Sequence, residues 1–134
     1  MNPESVMPAY DRNNIFAQIL RGEAPCTKRY EDEFALAFDN IHPQAPIHVL
    51  VVPKGEYVSN ADFSAAAPAE LITGFWRAVG RVAKELGLDE PGYRLVANTG
   101  PDANQIVFHF HVHVIAGRHM RVVSGSTPRP GDGT

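Results

Sequence analysis

The segment His109-Phe110-His111-Val112-His113-Val114-Ile115-Ala116 constrains this chain most. Histidine alternates with bulky apolar residues, the period of a β-strand in which residues two apart share a face. Phe110, Val112 and Val114 are then expected to face a core. The imidazoles of His109, His111 and His113 line up on the opposite side, rooted about 6.6 Å apart at a rise of roughly 3.3 Å per residue. All three can act around one small charged group.

The rest of the chain supplies a frame for such a strand. Ile47-His48-Val49-Leu50-Val51-Val52, ended by Pro53, is apolar on both faces and reads as a central strand, with His48 an unusual polar group near its start. Thr27–Glu31 and Phe34–Asn40 flank Asp32-Glu33 and read as a hairpin with Phe34, Leu36 and Phe38 on one face. A further short strand is expected over Gly92–Asn98. Ile15, Phe16, Ile19 and Leu20 have helical spacing behind the candidate caps Asn13 and Asn14, with Gly22 as the stop. Leu71, Ile72, Phe75, Trp76, Val79, Val82, Ala83 and Leu86 recur three and four apart and predict one long helix, with Phe75 and Trp76 in the core. Residues 54–66 read as a connection, with Ser64 as a cap and Pro68 in the first turn of that helix. Strands separated by a helix, with hairpin-length links, indicate an α+β fold built on an antiparallel sheet.

At 134 residues the chain fits one domain, expected over 13–120 between a flexible leader (1–12) and a mobile tail (121–134). A net charge of −3, with Arg and Lys scattered, argues against a DNA or RNA binder. The single cysteine, Cys26, forms no intrachain disulfide, and no apolar run approaches the length that spans a bilayer. A cytoplasmic protein without membrane partners is expected.

Three aligned imidazoles admit three explanations: a solvated strand face, a metal site, or phosphate chemistry without a metal. Imidazole is a common metal ligand, and three-histidine zinc sites exist. A neutral imidazole is also a competent nucleophile towards phosphorus, while protonated neighbours donate hydrogen bonds to developing charge. A metal site should carry carboxylates or further ligands nearby. The residues before the strand are instead Asn98, Asn104, Gln105 and glycine-bearing loop positions, donors suited to phosphate and sugar oxygens. That context favours phosphate.

Asn98, Ala103, Gln105, Val107, His109, His111, His113, Val114, Ile115 and Ala116 together resemble the signature of the histidine triad (HIT) family. Asn14-Ile15-Phe16, Arg21-Gly22-Glu23, Pro43-Gln44-Ala45-Pro46, His48, Val52-Pro53-Lys54 and Gly117-Arg118-His119-Met120 resemble its Hint branch. The resemblance spans about residues 13–120. It implies a sheet of about five antiparallel strands with one short and one long helix, pairing as a homodimer. It also implies a purine nucleotide (AMP-like) ligand and phosphoramidase-like hydrolysis at the α-phosphate, with no cofactor and no metal. By the same resemblance His111 is the nucleophile and His113 contacts phosphate oxygens, while His109 and His48 set the surrounding hydrogen bonds. Ile15, Phe16, Ile19, Phe38 and Ile41 match positions that wall the base pocket.

Three positions depart from the Hint pattern. Asn40 stands where an aspartate usually holds the ribose, so charge-assisted bonding is lost there. Ile106 replaces a common serine beside the leaving group. Asn104 replaces a frequent glycine, where it can adopt a left-handed turn or offer an amide to phosphate. Asn14 and Ala17 stand where some relatives carry zinc-binding cysteines, so no structural zinc is expected.

Overall fold

A computed structural model describes residues 7–123, so residues 1–6 of the expected leader and 124–134 of the expected tail lie outside it. The elements are α1 (Ile15–Leu20), β1 (Lys28–Glu31), β2 (Ala35–Asp39), β3 (Ile47–Pro53), α2 (Asn60–Ala66), α3 (Ala69–Glu85), β4 (Arg94–Val96) and β5 (Val112–Ala116). The five strands form one antiparallel sheet in the order β1-β2-β3-β5-β4. The apolar run at Ile47 is its centre, flanked by β2 and β5, as a strand buried on both faces should be.

One face of the sheet packs on α3. Ala35, Ala37, Val49, Val51, Val112, Val114 and Ala116 meet Phe75, Ala78, Val79, Val82 and Ala83 there. Each such buried valine or phenylalanine contributes roughly 1.5–3 kcal/mol of transfer free energy. Phe63 of α2 stacks on Phe110 with ring centroids 4.7 Å apart and closes one end of this core. The other face carries a smaller cluster of Leu36, Phe38, Leu50 and Val52 under Phe16 of α1. β5 is paired on both edges by β3 and β4, with Val112, Val114 and Ala116 buried toward α3 and His113 and Ile115 half-buried on the other face. Among the described residues no helix is long and apolar enough to cross a membrane.

Four expectations need correction. The 54–66 segment contains a third helix: Ser59 accepts from the Ala61 N–H at 3.2 Å, while Asp62 accepts from the Ser59 and Val58 N–H groups at 2.8 Å each. This reciprocal cap starts α2, and Ser64 instead lies within it, returning its hydroxyl to the Asn60 carbonyl at 2.7 Å. Phe34 does not share a face with Leu36 and Phe38, because it precedes the strand and lies over Gly74 of α3; a Cβ on Gly74 would sit 2.3 Å from its ring. Trp76 is 40% exposed while Phe75 is fully buried, since adjacent helical residues are about 100° apart and cannot both face the sheet. Finally, the histidine strand begins only at Val112, so His109 and His111 lie ahead of its regular pairing.

Candidate active site

A cavity of about 680 Å³ opens on the face opposite α3. Its walls come from α1, the end of β2 with the following turn, the starts of β3 and β5, and the 98–107 loop. His48, His111 and His113 line it, together with Ile15, Phe16, Ile19, Phe38, Asn40, Ile41, Asn98, Asn104, Gln105 and Ile106. His109 does not. It is fully buried behind His111, so the three imidazoles do not share one open face.

Register explains the meeting of His48 with His113. In the β3–β5 ladder His48 lies opposite Ile115 and Leu50 opposite His113, which makes the two histidines diagonal neighbours on the same face. Their nitrogens, His48 Nε2 and His113 Nδ1, are 2.8 Å apart. The Gln44 backbone N–H donates to His48 Nδ1 at 2.9 Å, so the proton of the neutral His48 ring is on Nε2 and donates to His113. His113 therefore keeps its own proton on Nε2, the nitrogen left for the cavity. The turn containing Pro43 and Pro46 matters because it aims the Gln44 N–H at this ring.

His111 is fixed from behind. Its Nδ1 lies 2.7 Å from the His109 carbonyl, to which it donates, and this leaves the Nε2 lone pair unprotonated. Phe16 meets its ring edge to face at 5.0 Å, and His113 lies 5.1 Å away. His109 in turn donates from Nε2 to the Pro53 carbonyl at 3.0 Å and accepts at Nδ1 from the Tyr10 hydroxyl at 2.6 Å.

Burial holds all four rings neutral. It lowers His48 and His111 below the ordinary 6.5, and the His109 carbonyl only partly offsets the shift of His111. His109 is pushed down to about 4 chiefly by burial. His113 also falls to about 4, by burial first and then by the adjacent His111 and His48. The outcome is a set of uncharged donors, where protonated neighbours were expected, and one free lone pair of fixed tautomer, because burial disfavours the charged ring.

The neighbouring amides divide into two kinds. Gln105 is buried and committed to backbone: Oε1 accepts from the Gly100 N–H at 3.0 Å, and Nε2 donates to the Val58 and Val107 carbonyls at 2.6 and 3.1 Å. It clasps the loop, so its amide is not the free phosphate donor expected from its place in the sequence. Asn104 takes the left-handed turn open to it, with φ 59°. Asn40 accepts from the His42 N–H at 2.8 Å, and its Nδ2 rests 3.3 Å from the protonated Nε2 of His48. Sequence reasoning passed over Tyr10, Cys26 and His42. Cys26 and His42 line the cavity, and Tyr10 belongs to the stretch expected to be a loose leader.

The HIT domain model matches residues 21–120. The chain belongs to the HIT family. An uncharacterized 13.2 kDa HIT-like protein of Azospirillum brasilense is 60% identical over 111 residues, covering 83% of this chain and 91% of that one. A HIT family hydrolase from Legionella pneumophila superposes with a TM-score of 0.77 at 38% identity, covering 84% of this chain and 100% of the other. A histidine triad nucleotide-binding protein from Candida albicans gives 0.69 at 32% identity, covering 76% and 73% respectively. The five-stranded antiparallel sheet described above is the HIT fold, here with three helices.

Proposed function

We propose that this HIT protein hydrolyses purine nucleoside phosphoramidates or related nucleotidyl compounds at the α-phosphate. The observation that carries the reading is the His111 Nδ1 bond to the His109 carbonyl, which leaves a neutral Nε2 lone pair at the wall of a nucleotide-sized cavity. The names of two similar proteins, a hydrolase and a nucleotide-binding protein, support it.

In this reading the base lies against Ile15, Phe16, Ile19, Phe38 and Ile41. His111 Nε2 attacks the α-phosphorus and a nitrogen–phosphorus bond forms, while the bond to the leaving nitrogen breaks and that nitrogen takes a proton from solvent in the open cavity and departs as the amine. Water then attacks the same phosphorus and loses a proton to solvent, the His111–phosphorus bond breaks and returns the lone pair to Nε2, and a nucleoside monophosphate leaves. His113 donates from Nε2 to a phosphate oxygen as charge develops there. His48 keeps that proton on the correct nitrogen of His113. Asn40 meets the sugar through a neutral amide, a weaker grip than a carboxylate provides. The cytoplasmic setting expected from the lone cysteine goes with such a reaction.

The test is turnover of adenosine 5′-phosphoramidate with and without a chelator, and with trapping of the adduct. Turnover that survives chelation is expected, together with a nucleotidyl adduct on His111. His111→Ala should lose at least about a thousandfold in kcat, the scale of removing a nucleophile that acts as part of a unit. Wild-type rates in His111→Ala would remove the assignment. A second reading, a nucleotide-binding protein with little catalysis, is favoured by Ile106, which is 77% exposed at the cavity and offers no hydroxyl to a leaving group. It calls for AMP binding without turnover across a panel of leaving groups.

A further inference from the structure

We propose that Tyr10 is a positioning residue for the reaction and that the segment ahead of α1 completes the histidine site. The Tyr10 hydroxyl donates to His109 Nδ1 at 2.6 Å, across 99 residues of sequence, and the two rings meet edge to face at 5.6 Å. His109 is fully buried, so this hydroxyl and the Pro53 carbonyl between them occupy both of its ring nitrogens. The direction of each bond follows. The Pro53 carbonyl can only accept, so His109 Nε2 carries the proton and Nδ1 needs a donor, which Tyr10 supplies.

The link to chemistry is through the same residue's backbone. The His109 carbonyl is the acceptor that sets the His111 tautomer at 2.7 Å. Holding the His109 ring at both ends holds the carbonyl that leaves His111 Nε2 as the bare nitrogen. Tyr10 is itself anchored: the Asp11 carboxylate accepts from the Asn13 N–H at 2.8 Å, and the Asp11 carbonyl accepts from the Asn14 side chain at 2.8 Å. Asn14 then caps α1, accepting from the Ala17 N–H at 2.9 Å. A single stretch therefore places Tyr10 on His109 and Phe16 on His111. Without the hydroxyl, Nδ1 is left as a buried acceptor with no partner. The ring keeps its proton on Nε2 for the Pro53 carbonyl but is then held at one end only, so it and the carbonyl of the same residue can shift away from His111 Nδ1.

Only the activity arm of the test rests on the proposed hydrolysis. The full chain, labelled with ¹⁵N-histidine, is compared with Tyr10→Phe by long-range ¹H–¹⁵N spectra, thermal melting and steady-state kinetics on adenosine 5′-phosphoramidate. In the wild type, His109 is expected as the Nε2–H tautomer and His111 as Nδ1–H. Tyr10→Phe should leave His109 as Nε2–H on the Pro53 carbonyl, shift its Nδ1 resonance, and give mixed tautomers at His111 with about a tenfold loss of kcat and KM within about twofold. An unchanged His111 tautomer in the variant overturns the proposal, whatever happens to kcat or to the melting temperature, since a merely structural contact alters stability alone. If Tyr10→Phe does not fold, 3,5-difluorotyrosine at position 10 keeps ring and hydroxyl but ionises at lower pH. The His109 tautomer must then switch at a correspondingly lower pH, and a switch at the wild-type pH overturns the proposal. A wild type that turns over no phosphoramidate removes the hydrolase reading, while the tautomer spectra still decide the role of Tyr10.

Discussion

Each histidine at this site has a different task because each has a different partner. His48 accepts from backbone and donates to His113; His111 donates to backbone and keeps its lone pair; His109 supports His111 from behind. Protonating His111 would occupy the nitrogen that attacks in the proposed reaction, so kcat/KM should fall on the acid side with a midpoint below 6.5, the direction in which burial moves this ring. Stability has a related dependence. The folded His109 and His113 titrate near 4, whereas an unfolded chain takes up those protons near 6.5. Their contribution is complete above about 6.5 and is lost as pH falls through the window from about 6.5 to 4, because the unfolded chain binds more protons there. Melting temperature measured from pH 7.5 to 4 should drop through that window. A flat profile would show that the rings are not held neutral by the fold.

At the scale of elements, the strands and α3 were legible because their periodicity is long or strongly apolar. The run Ile47–Val52 can hardly be anything but a central strand, and Val79, Val82 and Ala83 recur at helical spacing. What was hidden depended on a reciprocal contact or on an angle. Ser59 and Asp62 cap each other, yet the short Ala-rich stretch after them reads as a connection, and Pro68 draws attention to the start of α3 instead. Phe75 and Trp76 are both suited to a core, and only the orientation of α3 on the sheet decides between them. The packing of Phe34 on Gly74 was invisible for the same reason, since it joins β2 to α3 across forty residues. Gly74→Ala should destabilise the protein by about 1–3 kcal/mol, the range for inserting a methyl group into filled space, because the whole Phe34 ring must move. Urea unfolding measures this, and the Phe34→Ala background should relieve most of the penalty.

For the whole molecule, most residues that line the cavity were legible in the sequence through alternation and family resemblance, though Cys26 and His42 were not, and neither were the bonds that orient the histidines. Gln105 looked like a ligand donor and holds a loop; His109 looked like a member of an open row and is enclosed. Tyr10 carried no local pattern, because its partner lies at the far end of the chain. The expected homodimer belongs to this scale as a proposal. Trp76 and Leu95 are each about 40% exposed, and Leu95 lies on β4, the outer strand, opposite Val114 of the α3-facing core. Leu95→Lys should convert a dimer into a monomer in light scattering at micromolar concentration and lower the melting temperature, as burying an unpaired charge at an interface requires.

The strand order β1-β2-β3-β5-β4 has a consequence for how the chain reaches this state. The sheet's third and fourth positions are filled by segments some sixty residues apart in the chain. While the protein is being synthesised, β3 presents an open apolar edge until His109–Ala116 leaves the ribosome. The late-arriving segment is therefore the one that closes the sheet with β5 and the one that carries, just ahead of that strand, the proposed nucleophile His111. A nascent chain cannot be chemically competent before it is structurally safe from edge-to-edge association, and both conditions are met in the same step.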